Sequence, residues 1–149
     1  MGTIPVQEIS WRITLDMVLL KPTEIKYQNV YHFTTNSQSN GAQQGNRSPG
    51  LWVNYQRLHF VFNIDDNGNV AYQPVGNIPL NQKLRAVIEQ VMVSNRPVVR
   101  ILVNNKITYE MSHNWQIPFK NVKFYMSSPF YEAAPVKILY FSYEELETL

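Results

Sequence analysis

Apolar and polar residues alternate along most of this chain. In "EISWRITLDM" Ile9, Trp11, Ile13 and Leu15 fall on one face, with Ser10, Arg12, Thr14 and Asp16 on the other. "RLHFVFNI" repeats the pattern, setting Leu58, Phe60, Phe62 and Ile64 against His59, Val61 and Asn63. A period of two marks a strand with one covered face. "NVYHFTT" and "GLWVN" are short runs of aromatic and branched residues that suit strands. "LRAVIEQVMV" is long enough for a helix, but its alternation and its branched residues favour a strand. "VVRILVN" and "KITYEM" flank Asn104-Asn105, a hairpin signal, and "NVKFYMS" and "VKILYFSYEEL" complete the set. The count is about ten strands and no long helix, with prolines and glycines mostly between the runs. Such spacing predicts an antiparallel sandwich or barrel.

The segment "NIDDNGNVAY", residues 63–72, has two readings. As a calcium loop it offers Asn63, Asp65, Asn67, Gly68 and Val70 at the first five diagnostic places. Position 12, where a bidentate Glu should close the site, is Pro74. As a hairpin it offers Asn67-Gly68 between two runs of strand-like period. An EF-hand needs helices on both sides, so the flanks decide for the hairpin, with a tight turn and positive φ at Gly68.

The 149 residues suit one domain, residues 1–149, and 44% hydrophobic content supports a full core. The net charge of +2 gives no argument for nucleic acid or an anionic membrane. No apolar stretch is long enough to form a transmembrane helix, and the N-terminal residues lack the basic and apolar regions of a secretory signal. Cysteine is absent, which removes disulfides, thiol catalysis and Cys-based metal sites. Residues 35–50, "TNSQSNGAQQGNRSPG", form a long polar connection, either a surface loop or a functional one.

A family resemblance rests on five segments in order. They are "VYHFTT", "NRSPGLWVNYQRLHFVFNIDDNGNVAYQ", "IPLNQ", "VRILVNNKITYEM" and "FKNVKFYMSSPFYEAAPVKILYFSYEEL". Together they resemble the concanavalin A-like jelly-roll modules related to laminin G, pentraxin and thrombospondin N-terminal domains. They are similar in particular to the small metazoan extracellular version of that fold. Lys83 replaces an aromatic after "LNQ", and Pro135-Val136 stands where a Gly is common. The resemblance implies an all-β, two-sheet antiparallel jelly-roll sandwich that binds a glycan or a protein, sometimes through calcium. It also implies an extracellular or cell-surface setting as a domain of a longer chain, while zero Cys and no signal leave the cytoplasm open.

Glycoside hydrolases of the broader fold carry clustered carboxylates, as acid/base hydrolysis requires. The eleven acidic residues here are scattered, so the expectation is a non-enzymatic recognition or adhesion module of lectin type. A glycoside hydrolase and a self-associating structural module are the alternatives. Counting strands puts the 35–50 loop, the Asp65–Asn69 turn, the Ser94–Pro97 turn, the 112–120 loop and both termini on one rim. Asn36, Arg47, Asp65, Asp66 and Trp115 are therefore the candidate ligand contacts. Asp65, Asp66 and Asn36 are the candidate calcium ligands, the alternative being that the aspartates only shape the turn. Trp11 and Trp52 read as core, the three histidines as packed or surface residues, and "SSPFYEAAP" as a structural turn. Phe60, Phe62, Ile101, Val103, Phe124 and Ile138 are expected between the sheets.

Overall fold

The computed structural model describes residues 1–35, 45–63, 70–114, 118–127 and 130–147. Among them are eleven strands and no helix, hence no helix long and apolar enough to cross a membrane. The strands are β1 (Gly2–Gln7), β2 (Trp11–Leu19), β3 (Gln28–Thr34), β4 (Gly50–Asn54), β5 (Arg57–Phe62), β6 (Val70–Tyr72), β7 (Lys83–Val93), β8 (Arg96–Val103), β9 (Lys106–Ser112), β10 (Phe119–Met126) and β11 (Val136–Glu145). They form two antiparallel sheets, in the orders β1-β10-β3-β4-β5-β6 and β11-β2-β7-β8-β9. The expected two-sheet sandwich is therefore present, with one strand more than the pattern predicts.

The extra strand is β1. Pro5 interrupts its pattern, and only an edge strand tolerates a proline, because the missing N–H then faces solvent. This strand also moves the N-terminus. Gln7 lies opposite Phe119, while Gly2 lies opposite Phe124 further along β10. Gln7 therefore reaches the rim, and Met1 lies a strand's length back from it. At the other terminus Leu146 N donates to Ser10 O at 3.0 Å, so only the C-terminal residues take the expected place.

Three hairpins turn on two residues with positive φ: Tyr55-Gln56 (48° and 60°), Ser94-Asn95 (49° and 61°) and Asn104-Asn105 (50° and 66°). This is type I′ geometry, whose twist matches that of the flanking strands. β5 and β6 pair antiparallel as expected, but with Phe62 opposite Val70 and Phe60 opposite Tyr72, a register centred one to two residues before Asn67-Gly68. The turn between them, including Asn67-Gly68, lies outside the described residues.

Period-2 alternation then fills the space between the sheets. Ile13, Leu15, Met17, Phe33, Leu51, Phe60, Ile88 and Ile101 are all fully buried there. An aromatic junction ties the sheets together: Phe124 of β10 stacks on Phe33 of β3 at 5.5 Å and on Phe141 of β11 at 6.1 Å. Of the expected core residues, Phe60, Phe62 and Ile101 are buried, and Val103 and Phe124 pack against the cluster. Ile138 does not belong. It lies opposite buried Met17, on the inward face, but β11 is an edge strand and leaves it 37% exposed.

The outer face of the five-stranded sheet is polar and paired. Glu144, Arg12, Glu89, Arg100 and Glu110 follow one another in register across all five strands. Arg12 meets Glu89 at 2.7 Å, and Arg100 meets Glu110 at 2.5 Å. Two rows along, buried Asp16 accepts from Arg85 at 2.7 Å and from Lys83 at 2.8 Å.

The hydrogen bond from Arg85 is the main reason that the Asp16 carboxyl sits far below the usual carboxylate range. A depressed folded pKa adds stability that is present above the unfolded value, about 3.9, and lost as pH falls below it. We expect Asp16→Asn to cost about 1–2 kcal/mol at neutral pH, the lower range because both cations stay partly hydrated. The variant should also lose part of the wild-type steepness of stability below about pH 4. Urea unfolding at several pH values measures both.

Candidate functional site

The site lies on the outer face of the six-stranded sheet and begins with the Tyr55-Gln56 turn. That two-residue connection sets Trp52 opposite His59 and Gly50 opposite Val61. Leu51, Val53, Leu58 and Phe60 point into the core, so alternation sends Trp52, His59 and Val61 to the other face. Ala71 of β6 follows beside Val61. Gly50 makes room for the indole: a Cβ there would lie 2.2 Å from Cη2 of Trp52. The ring can fold back over its own strand only because Gly50 has no side chain.

Two segments then cover this face. Ser48 N donates to Phe33 O, and Asn63 N donates to Arg47 O, both at 2.8 Å, which fixes the 45–49 segment across the strand ends. The Arg47 guanidinium stands 5.7 Å from the Trp52 ring centre, a cation–π distance, and its Nη2 donates to the Tyr131 hydroxyl at 3.0 Å. Tyr131 meets Trp52 edge-on at 5.4 Å. His32 lies 5.5 Å from the same ring, with Nε2 2.6 Å from Asn46 O. Tyr27 packs edge-on against His59 at 5.3 Å. All of β3 is buried as a result, on both faces.

Tyr27, Arg47, Trp52, His59, Val61, Ala71 and Tyr131 line a pocket of about 310 Å³. Burial, reinforced by the Arg47 charge, pushes the His59 imidazole below its ordinary pKa. Burial likewise lowers that of His32, against the bond to Asn46. Both rings are therefore neutral at pH 7. Trp52 Nε1 and His59 Nδ1 are buried without a hydrogen-bond partner among the described residues. Trp52 is only 2% exposed, so a buried donor goes unanswered in the wall of an open pocket. Such atoms are costly, and native interiors rarely leave them so. A second hollow, between Glu8–Ser10 and Glu145–Glu147, has no aromatic wall.

Arg47 alone of the candidate contacts lies among the described residues, and it belongs to this pocket on the sheet face. Asn36, Asp65, Asp66 and Trp115 lie outside the described residues, and so does the candidate calcium set. Among the described residues no group of three or more His, Asp or Glu side chains is placed to hold a metal. Thr35 N donates to Gly45 O at 2.8 Å, which with the Asn63–Arg47 bond sets the described ends of the long loop beside the end of β5.

One residue departs from its expected place, and two take a position that the sequence left open. Trp52 is buried but on the outer face, outside the core cluster. His59 lines the pocket, and Tyr131 of "SSPFYEAAP" forms one of its walls. Alternation in "GLWVN" and "RLHFVF" carries the signal for the first two, because Leu51 and Val53 cannot face inward unless Trp52 faces outward. Tyr131 reaches Arg47 over 84 positions, and no local pattern reports that contact.

No family model and no curated protein matches the sequence. Solved structures match in fold. The botulinum neurotoxin type G receptor binding domain aligns with a TM-score of 0.57 at 12% identity, over 93% of this chain and 36% of that one. The binding domain of botulinum neurotoxin DC in complex with SialylT gives 0.60 at 12% identity, over 93% and 33%. An endo-beta-1,4-glucuronan lyase from the fungus Trichoderma reesei gives 0.57 at 13% identity, over 94% and 68%. The chain thus spans about a third of the toxin domains it matches. At these identities the likeness establishes the jelly-roll type of sandwich alone.

Gly50→Ala should press its methyl into the Trp52 ring, costing about 1–3 kcal/mol and displacing the indole from the pocket. Thermal unfolding and indole fluorescence measure the two effects. Lowered imidazole pKa values make His32 and His59 contribute stability that is present above the unfolded value, about 6.5, and lost as pH falls. Both rings should titrate below 6.5 by NMR, and a His59 value at or above it would contradict the burial argument.

Proposed function

We propose that this chain is a non-catalytic recognition module that holds a glycan in the pocket over Trp52. The carrying observation is that the aromatic side chains of Tyr27, Trp52 and Tyr131, the His59 imidazole and the Arg47 guanidinium line one open cavity. Aromatic faces pack against the apolar faces of sugars, and a few polar atoms fix orientation. The fixed charge of Arg47 favours a sugar bearing a carboxylate. Two observations on other proteins support the class: one neighbour in fold was solved with SialylT bound, and another is a glucuronan lyase. On this reading the module is a diverged relative of the laminin G-like group, working in adhesion at the cell surface or outside it, within a longer chain.

A second reading is a polysaccharide lyase. A neutral imidazole, a phenol and a guanidinium line the same pocket, and these are groups that could take a proton, give one and neutralise a uronate. Hydrolysis by paired carboxylates is less well supported, because no Asp or Glu occurs among the described lining residues.

A glycan array rich in sialylated and uronate-bearing chains, run with and without calcium, tests the binding reading. We expect anionic glycans to bind, and Trp52→Ala and Arg47→Gln each to weaken them by about tenfold or more while the chain stays folded. Loss of no affinity in either variant would move the site elsewhere, and absence of any glycan hit would overturn the reading. Appearance of unsaturated uronyl products from a polyuronate would decide for the lyase.

A further inference from the structure

We infer that β11 is the contact surface for a second copy of this chain, the two copies joining their five-stranded sheets edge to edge. Among the described residues β11 pairs only with β2 and closes one side of its sheet. Its ten residues contain no fully buried position, and Ile138, Leu139 and Tyr140 form a run of exposed apolar side chains. Sheet edges that must stay single are kept short or carry proline or charge. The other edges of this protein obey that rule. β6 has three residues, β1 carries Pro5, and β9 begins with Lys106 and holds Glu110 in an ion pair. β11 is the long edge whose middle is apolar.

The sequence of β11 is complementary to itself when antiparallel. A two-fold axis through Phe141 sets Tyr140 opposite Ser142 of the second copy. Beyond the irregularity at Leu139, Ile138 meets Tyr143 and Lys137 meets Glu144. The faces agree, because Lys137, Ser142 and Glu144 lie opposite Val18, Thr14 and Arg12, which project from the outer face of the sheet. The charges agree as well. The row Glu110, Arg100, Glu89, Arg12, Glu144 alternates in sign across the sheet and stops at a carboxylate on the edge. Lys137 of the second copy supplies the next positive charge, and the two-fold repeats that pair. Opposite charges directly across strands stabilise the pairing, and like charges oppose it.

The axis is perpendicular to the joined sheet. Both six-stranded sheets therefore lie on the same side of it, and both Trp52 pockets face one way. Should the pockets bind glycans as proposed above, two of them would act together on a multivalent surface. The dimer itself does not depend on that reading.

Sedimentation equilibrium of the full chain at micromolar concentration and low salt is the test. The wild type should be dimeric. Lys137→Glu should weaken the dimer about tenfold or more by facing Glu144 with a second carboxylate, and Glu144→Lys should do the same with two ammonium groups. The double variant Lys137→Glu with Glu144→Lys should restore association. Both positions are exposed, and circular dichroism of each variant verifies the fold. A monomeric wild type overturns the inference, as does a dimer indifferent to both reversals or a double variant no stronger than the singles.

Discussion

The burial of one face of each sheet against the other is the constraint on which the rest of this molecule depends. A strand has two faces, and a two-sheet sandwich covers only one of them. The residues that satisfy the core, among them Leu51, Val53, Phe60 and Ile88, thereby commit their neighbours to the outer faces. Phe33, Phe124 and Phe141 make the commitment firm, since three stacked rings from both sheets admit no slip of one residue. Each large buried aromatic contributes about 1.5–3 kcal/mol. A slip would send these rings to solvent and turn polar residues inward.

The two outer faces solve their problem differently. On the five-stranded sheet, Arg12, Glu89, Arg100 and Glu110 pair across strands, and Asp16 is held between Arg85 and Lys83. Charges that answer one another can stay in water, and nothing further is required of that face. On the six-stranded sheet the strands place an indole and an imidazole, and coverage comes from segments outside the sheet. Arg47 and Tyr131 lie over Trp52 without answering its Nε1. Trp52 Nε1 is thus a buried donor with no hydrogen-bond partner among the described residues.

Much of this is legible in the sequence, and the illegible parts have physical causes. Period two predicted the strands from β2 onward and the paired sheets, because each strand reports locally which face is covered. β1 escaped since Pro5 breaks the pattern and an edge strand alone can tolerate it. Ile138 shares a face with Met17 yet stays exposed, because alternation reports the face and not that the strand lies at a sheet edge. The site was half visible. The Asn63–Arg47 bond joins the described end of the long loop to the end of β5, yet Arg47 reaches inward over the sheet face. Trp52 opposite His59 follows from a two-residue turn at Tyr55-Gln56, whose place is legible between "GLWVN" and "RLHFVF" although neither residue favours a turn. Tyr and Gln with positive φ are unusual, so the hairpin that builds the pocket floor has no Asn-Gly to announce it.

That unusual turn bears on how the pocket keeps its shape. Left-handed backbone at Tyr55 and Gln56 costs energy that Asn or Gly would avoid. Side-chain and backbone contacts hold this turn in place. Lys26 stands 5.7 Å from the Tyr55 ring, and Gln56 exchanges hydrogen bonds with Ile78, giving its side-chain amide to the carbonyl and its own carbonyl to the Ile78 N–H. The turn is thus tied to the segments before β3 and after β6, and one of those segments carries Tyr27, which packs on His59. The far end of the β4–β5 hairpin and the wall of the pocket are one connected piece of structure. Holding Trp52 and His59 side by side requires the register of this hairpin, and the register is fixed by a turn whose residues are chosen for what they touch.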